Sequence, residues 1–404
     1  MGKKNVLLAL SGGLDTSFCA VYLAREKGME VHSALVNTGG FSDRELEGIA
    51  RHAERLGIQS HTALDVTEKY YRHCIRYMLF GNVLRNRSYP LSVSSERTFQ
   101  AIALVEYARE KGFDCIAHGS TAAGNDQVRF DLVFQVLAPE IEIITPIRDL
   151  KISREDEIAA LKEAGIDMNW EKLAYSINQG IWGTSVGGKE TLSSDGELPE
   201  EAWPVPMSKS GSELVEIGFE KGEPTSLNGQ KMKPLELIKA LQELAAPWGV
   251  GRDVHVGDTI IGIKGRVGFE AAAARLLIDA HLALEKHVLT RWQLHWKEQI
   301  GQWYGMFVHE AQYLEPVMRD LEQFLLSSQQ NVTGTAKIRL RPYAHVVTGI
   351  ESPYDMMKAD FAAYGEMNRA WTAGEVNGFT RILGNQQRLW FAVNEKATNT
   401  GEKE

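Results

Sequence analysis

At 404 residues the chain is long enough for two or three domains, and 44% hydrophobic with 24% charged residues is the make-up of a folded protein. A formal net charge of -9 speaks against a nucleic-acid partner, and no apolar run reaches the roughly 18 residues of a bilayer span. Three scattered cysteines, Cys19, Cys74 and Cys115, build neither a disulfide framework nor a metal knuckle.

The apolar run near the N-terminus stops at Ser11-Gly12-Gly13 without a cleavage site, so the expected compartment is the cytoplasm. In chain order, residues 5–10 form an apolar strand, 16–27 a helix closed by Gly28, and 30–36 a second strand. Ser42 with Glu45 is a capping box, after which Leu46, Ile49, Ala50, Ala53 and Leu56 make one helical stripe ended by Gly57. A strand over 59–64, helices over 68–79 and 97–111, strands over 115–117 and 131–137, and a helix over 153–164 follow. Such alternation predicts a doubly wound parallel sheet.

Beyond Gly165 the pattern changes. A Gly- and Ser-rich stretch (180–196) leads to antiparallel strands at 214–219, 224–227, 336–340 and 345–348, with long helices between them over 269–330. Trp292, Trp296 and Trp303 share one helix face and read as core or subunit interface. His281, His287, His295 and His309 read as surface or interface side chains, and the chain after Tyr354 as an irregular polar tail. The expected fold class is α/β: a parallel-sheet nucleotide-binding domain over 1–165, an α+β domain over 166–355 and a C-terminal tail over 356–404.

The loop Ser11-Gly12-Gly13-Leu14-Asp15-Thr16-Ser17 joins the first strand to the first helix. A helix N-terminus offers unpaired N–H groups and about half a positive charge, and glycines let a phosphate approach the backbone. Ser11, Thr16 and Ser17 add hydroxyls, and Asp15 makes sense in an anion site where it meets magnesium or a substrate group. No Gly-Lys-Ser/Thr ends the loop, so it is not a Walker loop. It resembles the pyrophosphatase-type loop of enzymes that split ATP between its α and β phosphates.

Farther on, residues 117–130 bunch Thr121, Asn125, Asp126, Gln127 and Arg129 after a strand end. A carboxylate for an ammonium, a guanidinium for a carboxylate and amides for both suit an amino-acid substrate at the carboxyl edge of such a sheet.

With the phosphate loop, this stretch resembles argininosuccinate synthases, and the likeness extends along most of the chain. Tyr175-Ser176-Ile177-Asn178, Ile181-Trp182-Gly183-Thr184-Ser185, Gly249-Val250-Gly251-Arg252-Asp253, Ile261-Gly262-Ile263-Lys264-Gly265-Arg266 and Val332-Thr333-Gly334 follow in that family's order. The resemblance implies ATP-dependent ligation of citrulline and aspartate through a citrullyl-adenylate, with ATP and Mg2+ required. It also implies a cytoplasmic homotetramer, whose second domain serves synthesis and oligomerisation and whose tail lies at a subunit interface. Ala9, Leu10, Ser11, Gly12, Gly13, Leu14, Asp15, Thr16, Ser17, Val36 and Gly119 correspond to ATP contacts. Thr121, Asn125 and Asp126 correspond to aspartate contacts, and Tyr89, Ser94, Asn125, Arg129, Ser176 and Ser185 to citrulline contacts. Asp15 and Asp126 are the expected catalytic carboxylates, and no cluster of protein ligands for a metal is expected.

Two positions depart from the family: Gly257 stands where Glu is usual, and Phe269 where Tyr is usual. Asp258 is expected to supply the missing carboxylate to free citrulline. The alternative is a citrulline acylated on its α-amine, which needs no ammonium acceptor. A tRNA sulfur-transfer enzyme would want paired reactive cysteines and a basic groove. An amidotransferase would want a glutaminase domain, and a nucleotide sensor would have no need of Thr121, Asn125, Asp126 and Arg129.

Overall fold

Val6, Leu7 and Leu8 are wholly buried, so the first strand sits at the centre of its sheet with helices on both faces. The computed structural model describes residues 3–122, 124–167, 175–359, 361, 364–365 and 370–401, with backbone only for 396–401. Ala123 of the 117–130 stretch lies outside the described residues.

Strands β1 (Asn5–Ala9), β2 (Glu30–Asn37), β3 (Ser60–Asp65), β4 (Cys115–Ala117) and β5 (Glu142–Ile144) form a parallel sheet of order β3-β2-β1-β4-β5. The chain steps outward from β1 to β3 and returns to β4 on the other side of β1. The loops after β1 and β4 therefore meet at a topological switch point, where open α/β sheets bind ligands. Helix α1 (Leu14–Arg25) follows β1, and α2 (Asp43–Arg55) begins with the expected Ser42–Glu45 capping box. Helices α3 (Thr67–Tyr70) and α4 (Arg76–Phe80) are joined by a π-helical turn over Tyr71–Ile75. The long α5 (Ser92–Lys111) starts earlier than expected, directly after Leu91, whose φ of 60° turns the chain sharply. Helices α6 (Asp126–Leu137), α7 (Pro146–Leu150) and α8 (Arg154–Glu163) complete this part.

Two antiparallel sheets follow. A small one has the order β11-β12-β7-β6, from β6 (Ser176–Gly180), β7 (Gly183–Gly187), β11 (Arg252–Asp258) and β12 (Lys264–Glu270). The other has the order β10-β9-β8-β13-β14, from β8 (Glu213–Glu220), β9 (Glu223–Leu227), β10 (Gln230–Lys231), β13 (Gly334–Arg341) and β14 (Ala344–Glu351). Helices α9 (Pro234–Ala245), α10 (Ala272–Val288), α11 (Arg291–His309) and α12 (Val317–Ser328) pack around them. The α/β fold class is as expected. Contacts divide the chain into two compact units, 1–353 and 354–404. The second contains α13 (Ala373–Leu383) and α14 (Asn385–Gly401). No described helix is long and apolar enough to cross a membrane.

Several expectations are corrected. Residues 131–137 are helix, not strand: buried Arg129, Val133 and Phe134 recur at helical spacing despite the β-prone side chains around them. Phe269 lies on a strand rather than in a helical stretch. His281 and His309 are buried, His281 between Asn82 and Gln329. Most of the described residues after Tyr354 are helical, and Thr372 with Glu375 forms a capping box at the first long helix there.

Candidate active site

The phosphate loop is braced from behind. Gly12 has φ +80°, and a Cβ there would meet Ile49 Cγ1 at 3.1 Å. Arg55 Nη2 donates to His52 Nδ1 at 3.1 Å, so the neutral ring carries its proton on Nε2 and donates to Ser17 Oγ at 2.7 Å. Burial, then Arg55, lowers the His52 pKa and keeps the ring uncharged. Ser17 in turn donates to the Gly13 carbonyl at 2.7 Å. Its hydroxyl is therefore spent on shaping the loop, while Ser11 and Thr16 lie at its front, 3.3 Å apart. A Cβ at Gly119 would lie 3.2 Å from the Asp15 backbone, so the loop after β4 abuts the loop after β1. Ala9 and Leu10 close the end of β1, where Leu10 N–H donates to Ala34, and Val36 is buried near the end of the neighbouring β2.

Asp15 lies beside Glu157 of α8, whose Oε2 is buried without a hydrogen-bond partner. Burial, followed by the Asp15 charge, pushes the Glu157 carboxyl up to about 8. Two carboxyls beside a phosphate loop, one with an unmet oxygen, fit a hard dication, which needs only one or two protein carboxylates alongside nucleotide phosphates. No group of three or more metal-ligating side chains occurs among the described residues.

Asp126 and Arg129 open α6, facing Arg97 of α5. Arg97 Nε donates to Asp126 Oδ2 and Arg129 Nη1 to Asp126 Oδ1, each at 3.0 Å. Withdrawal from water would raise the Asp126 pKa, but the two guanidiniums outweigh it and hold the carboxyl below the usual range. Arg97 also reaches Asn178 Oδ1 at 3.1 Å, and Arg129 Nε donates to the His309 carbonyl at 3.1 Å. These four residues tie α5, α6, α11 and the small sheet together. Next to Arg97, Glu96 is buried, and Thr38 donates to it at 2.6 Å. Burial lifts Glu96 to about 7 against the pull of Arg97.

The other expected residues are distributed around this junction. Tyr89 is buried, its ring 5.0 Å from that of His255 and 5.1 Å from that of Phe269. Ser94 is buried and donates to the Leu91 carbonyl. Ser185 is buried on β7, in register with Asn178 on one side and Phe269 on the other. Asn125 Oδ1 accepts from Ile260 N–H at 2.8 Å, while Thr121 and Ser176 are exposed.

Asp258 does not join them. Strand alternation turns it away from the face of His255 and Gly257, its carboxylate pairs with Lys264 at 2.6 Å, and its side chain is 58% exposed. Arg97, Glu96, Asn178, His255 and His309 were absent from the expected site set. Glu96 and Arg97 lie within three residues of Ser94 and Asn178 within two of Ser176, while His255 and His309 carry no such local signal.

The family model for the arginosuccinate synthase N-terminal HUP domain matches residues 5–167, and that for the C-terminal domain matches residues 175–390. A protein of Methanocaldococcus jannaschii named argininosuccinate synthase is 38% identical over 95% of this chain and 97% of its own length. Proteins of the same name are 37% identical in Synechococcus sp. (strain JA-3-3Ab), over 97% of this chain and 98% of that protein, and 36% identical in Dictyoglomus thermophilum, over 96% and 98%.

Proposed function

The chain belongs to the argininosuccinate synthase family, and from that premise we propose how its own residues carry out the ATP-dependent ligation of citrulline to aspartate in arginine biosynthesis. The ureido oxygen of citrulline attacks the α phosphorus of ATP, the bond to the β phosphate breaks and pyrophosphate leaves. The aspartate amine then attacks the activated ureido carbon, the bond to AMP breaks, and the nitrogen loses a proton to give argininosuccinate. Activation is needed because a urea carbon is a poor electrophile until its oxygen becomes a good leaving group. No covalent enzyme intermediate is required, so positioning and charge stabilisation carry the rate.

The backbone of Ser11–Ser17 at the start of α1 grips the pyrophosphate, with Ala9, Leu10, Val36 and Gly119 around the nucleotide. Asp15, backed by Glu157, would hold magnesium, which when bound neutralises charge on the departing pyrophosphate. Asp126, kept ionised by Arg97 and Arg129, receives the aspartate ammonium, with Thr121 and Asn125 beside it. Tyr89, Ser94, Arg129, Ser176 and Ser185 surround citrulline. The reading rests above all on the contact of Gly119 with Asp15, which joins the phosphate loop to the stretch carrying Asp126 and Arg129.

Residues 1–165 act as the ATP-binding part and 166–355 as the synthetase and multimerisation part, with 356–404 at a subunit interface. The assembly is a cytoplasmic homotetramer that binds no nucleic acid. Self-association alone is supported by the exposure of Trp292, Trp296 and Trp303 on α11 and of Phe379, Ile382, Leu389 and Trp390 on α13 and α14, all 55% or more. The activity is tested by citrulline-dependent exchange of labelled pyrophosphate into ATP without aspartate. AMP release should need both amino acids; exchange that ignores citrulline would overturn the reading.

A further inference from the structure

Three residues within electrostatic reach of one another, one of them stacked on Tyr89, carry polar groups with unmet bonding capacity. Arg85 Nε, His255 Nδ1 and His309 Nε2 are each buried without a hydrogen-bond partner. The His255 and His309 residues are only 7% and 5% exposed, so water is no ready substitute. Leaving such groups unpaired in the protein interior is unfavourable, and a ligand that pairs them gains accordingly.

Their chemistry selects the ligand. Burial and then Arg129 bring His309 down to about 3, so the ring is neutral. Arg129 Nη2 stands 3.2 Å from His309 Nδ1, and a guanidinium can only donate. The His309 proton therefore sits on Nε2, facing the Asp258 carbonyl without a hydrogen bond of good geometry, so it can turn to a better acceptor. Arg85 Nη2 donates to that same carbonyl at 3.2 Å, which leaves its Nε–H free. His255 is also lowered, by burial first and Arg85 second. The carboxylates that act on Arg85 are Glu310 and Asp258, and neither is hydrogen-bonded to it. Two donors and a positive charge welcome a carboxylate and repel an ammonium.

The position of His255 depends on what is missing at 257. Both residues point to the same face of β11, and a Cβ at 257 would lie 2.5 Å from His255 Nε2 and 3.1 Å from Cε1. Any side chain there would drive the imidazole off its stack on Tyr89, where the rings are 5.0 Å apart and inclined by 27°.

We propose that Arg85, His255 and His309 form a subsite for the carboxylate at the non-reacting end of the ureido substrate, and that Gly257 makes room for His255. This rests on the family reaction assigned above and names how its ureido substrate is recognised. The α-amine of citrulline plays no part in binding here, so a ureido acid whose amine is acylated is also accepted.

The test compares citrulline, N-acetylcitrulline and citrullinamide in AMP formation by the full chain. Amidating the carboxylate should lower kcat/KM by about 100-fold or more, as loss of charge-assisted hydrogen bonds predicts, and acetylating the amine by less than about tenfold. His255→Ala should raise KM for citrulline by about tenfold or more while leaving KM for ATP unchanged. Gly257→Ala should do the same, and the double variant should be no worse than either, because both act through one ring. Citrullinamide turned over as well as citrulline, or loss of turnover on acetylation, would overturn the proposal. So would an unchanged citrulline KM in a folded His255→Ala. If the wild type formed no AMP with any ureido compound, the family reaction itself would fail. Calorimetry with a non-hydrolysable ATP analogue would then decide the subsite alone: citrulline must bind more tightly than citrullinamide, and equal or absent binding refutes it.

Discussion

Replacing Asp126 by Asn separates the two half-reactions. The carboxylate takes Arg97 on one oxygen and Arg129 on the other, each at 3.0 Å. Asn keeps a single acceptor oxygen, uncharged, and turns an amide N–H₂ toward the other guanidinium. One charge-assisted bond is lost and the other becomes a weaker charge–dipole bond, a combined loss of about 2–4 kcal/mol. The fold should survive, because Arg97 keeps Asn178 and Gln100, and Arg129 keeps the His309 carbonyl. If the carboxylate acts on aspartate, kcat/KM for aspartate should fall by about 30- to 1000-fold. Citrulline-dependent exchange of pyrophosphate into ATP, measured without aspartate, should stay near the wild-type rate. An exchange rate that falls as far as the aspartate step would refute the reasoning and assign Asp126 to citrulline or ATP.

Asp15→Asn should abolish formation of both AMP and argininosuccinate with little change in Tm; near-normal turnover would remove Asp15 from the phosphate site. Glu157 gives a pH prediction. Its folded pKa is raised to about 8, above the ordinary carboxyl range, so its contribution to stability is complete below that range and is lost as pH rises through about 8. Glu157→Gln should therefore flatten the decline in stability between about pH 5 and 8 by up to about 1.4 kcal/mol per pH unit, read by denaturant titration; an unchanged slope contradicts the assignment. Trp296, 56% exposed on α11, tests the assembly: Trp296→Glu should shift light scattering from tetramer toward smaller species, and a wild type already monomeric at micromolar concentration ends that idea.

What could be read from sequence was local. The phosphate loop was legible because strand, glycines and helix start lie within one short stretch, and the Ser42–Glu45 box because its partners are three residues apart. Asp126 and Arg129 were legible as neighbours, but their helix was not, since Val, Phe and Leu at 131–137 carry strand propensity that tertiary packing overrode. The small sheet was missed because β6, β7, β11 and β12 are rich in Gly, Ser and charge and lack a simple apolar alternation. That Asp258 points away from the face of Gly257 could be read in advance: once 252–258 is a strand, residues 257 and 258 must face opposite ways. The stacking of Tyr89 on His255 and the bond from Arg97 to Asn178 join residues far apart in the chain, which periodicity cannot pair. The tail was misjudged although Thr372 and Glu375 spell the same capping box as Ser42 and Glu45.

The central claim is that the ureido oxygen attacks the α phosphorus of ATP, and one isotope measurement addresses it. The wild-type enzyme is supplied with citrulline carrying oxygen-18 in the ureido group, together with ATP and aspartate, and the nucleotide product is weighed by mass spectrometry. The account predicts AMP heavier by one oxygen-18, in an amount equal to the argininosuccinate formed. Unlabelled AMP, or ADP and phosphate in its place, would contradict it.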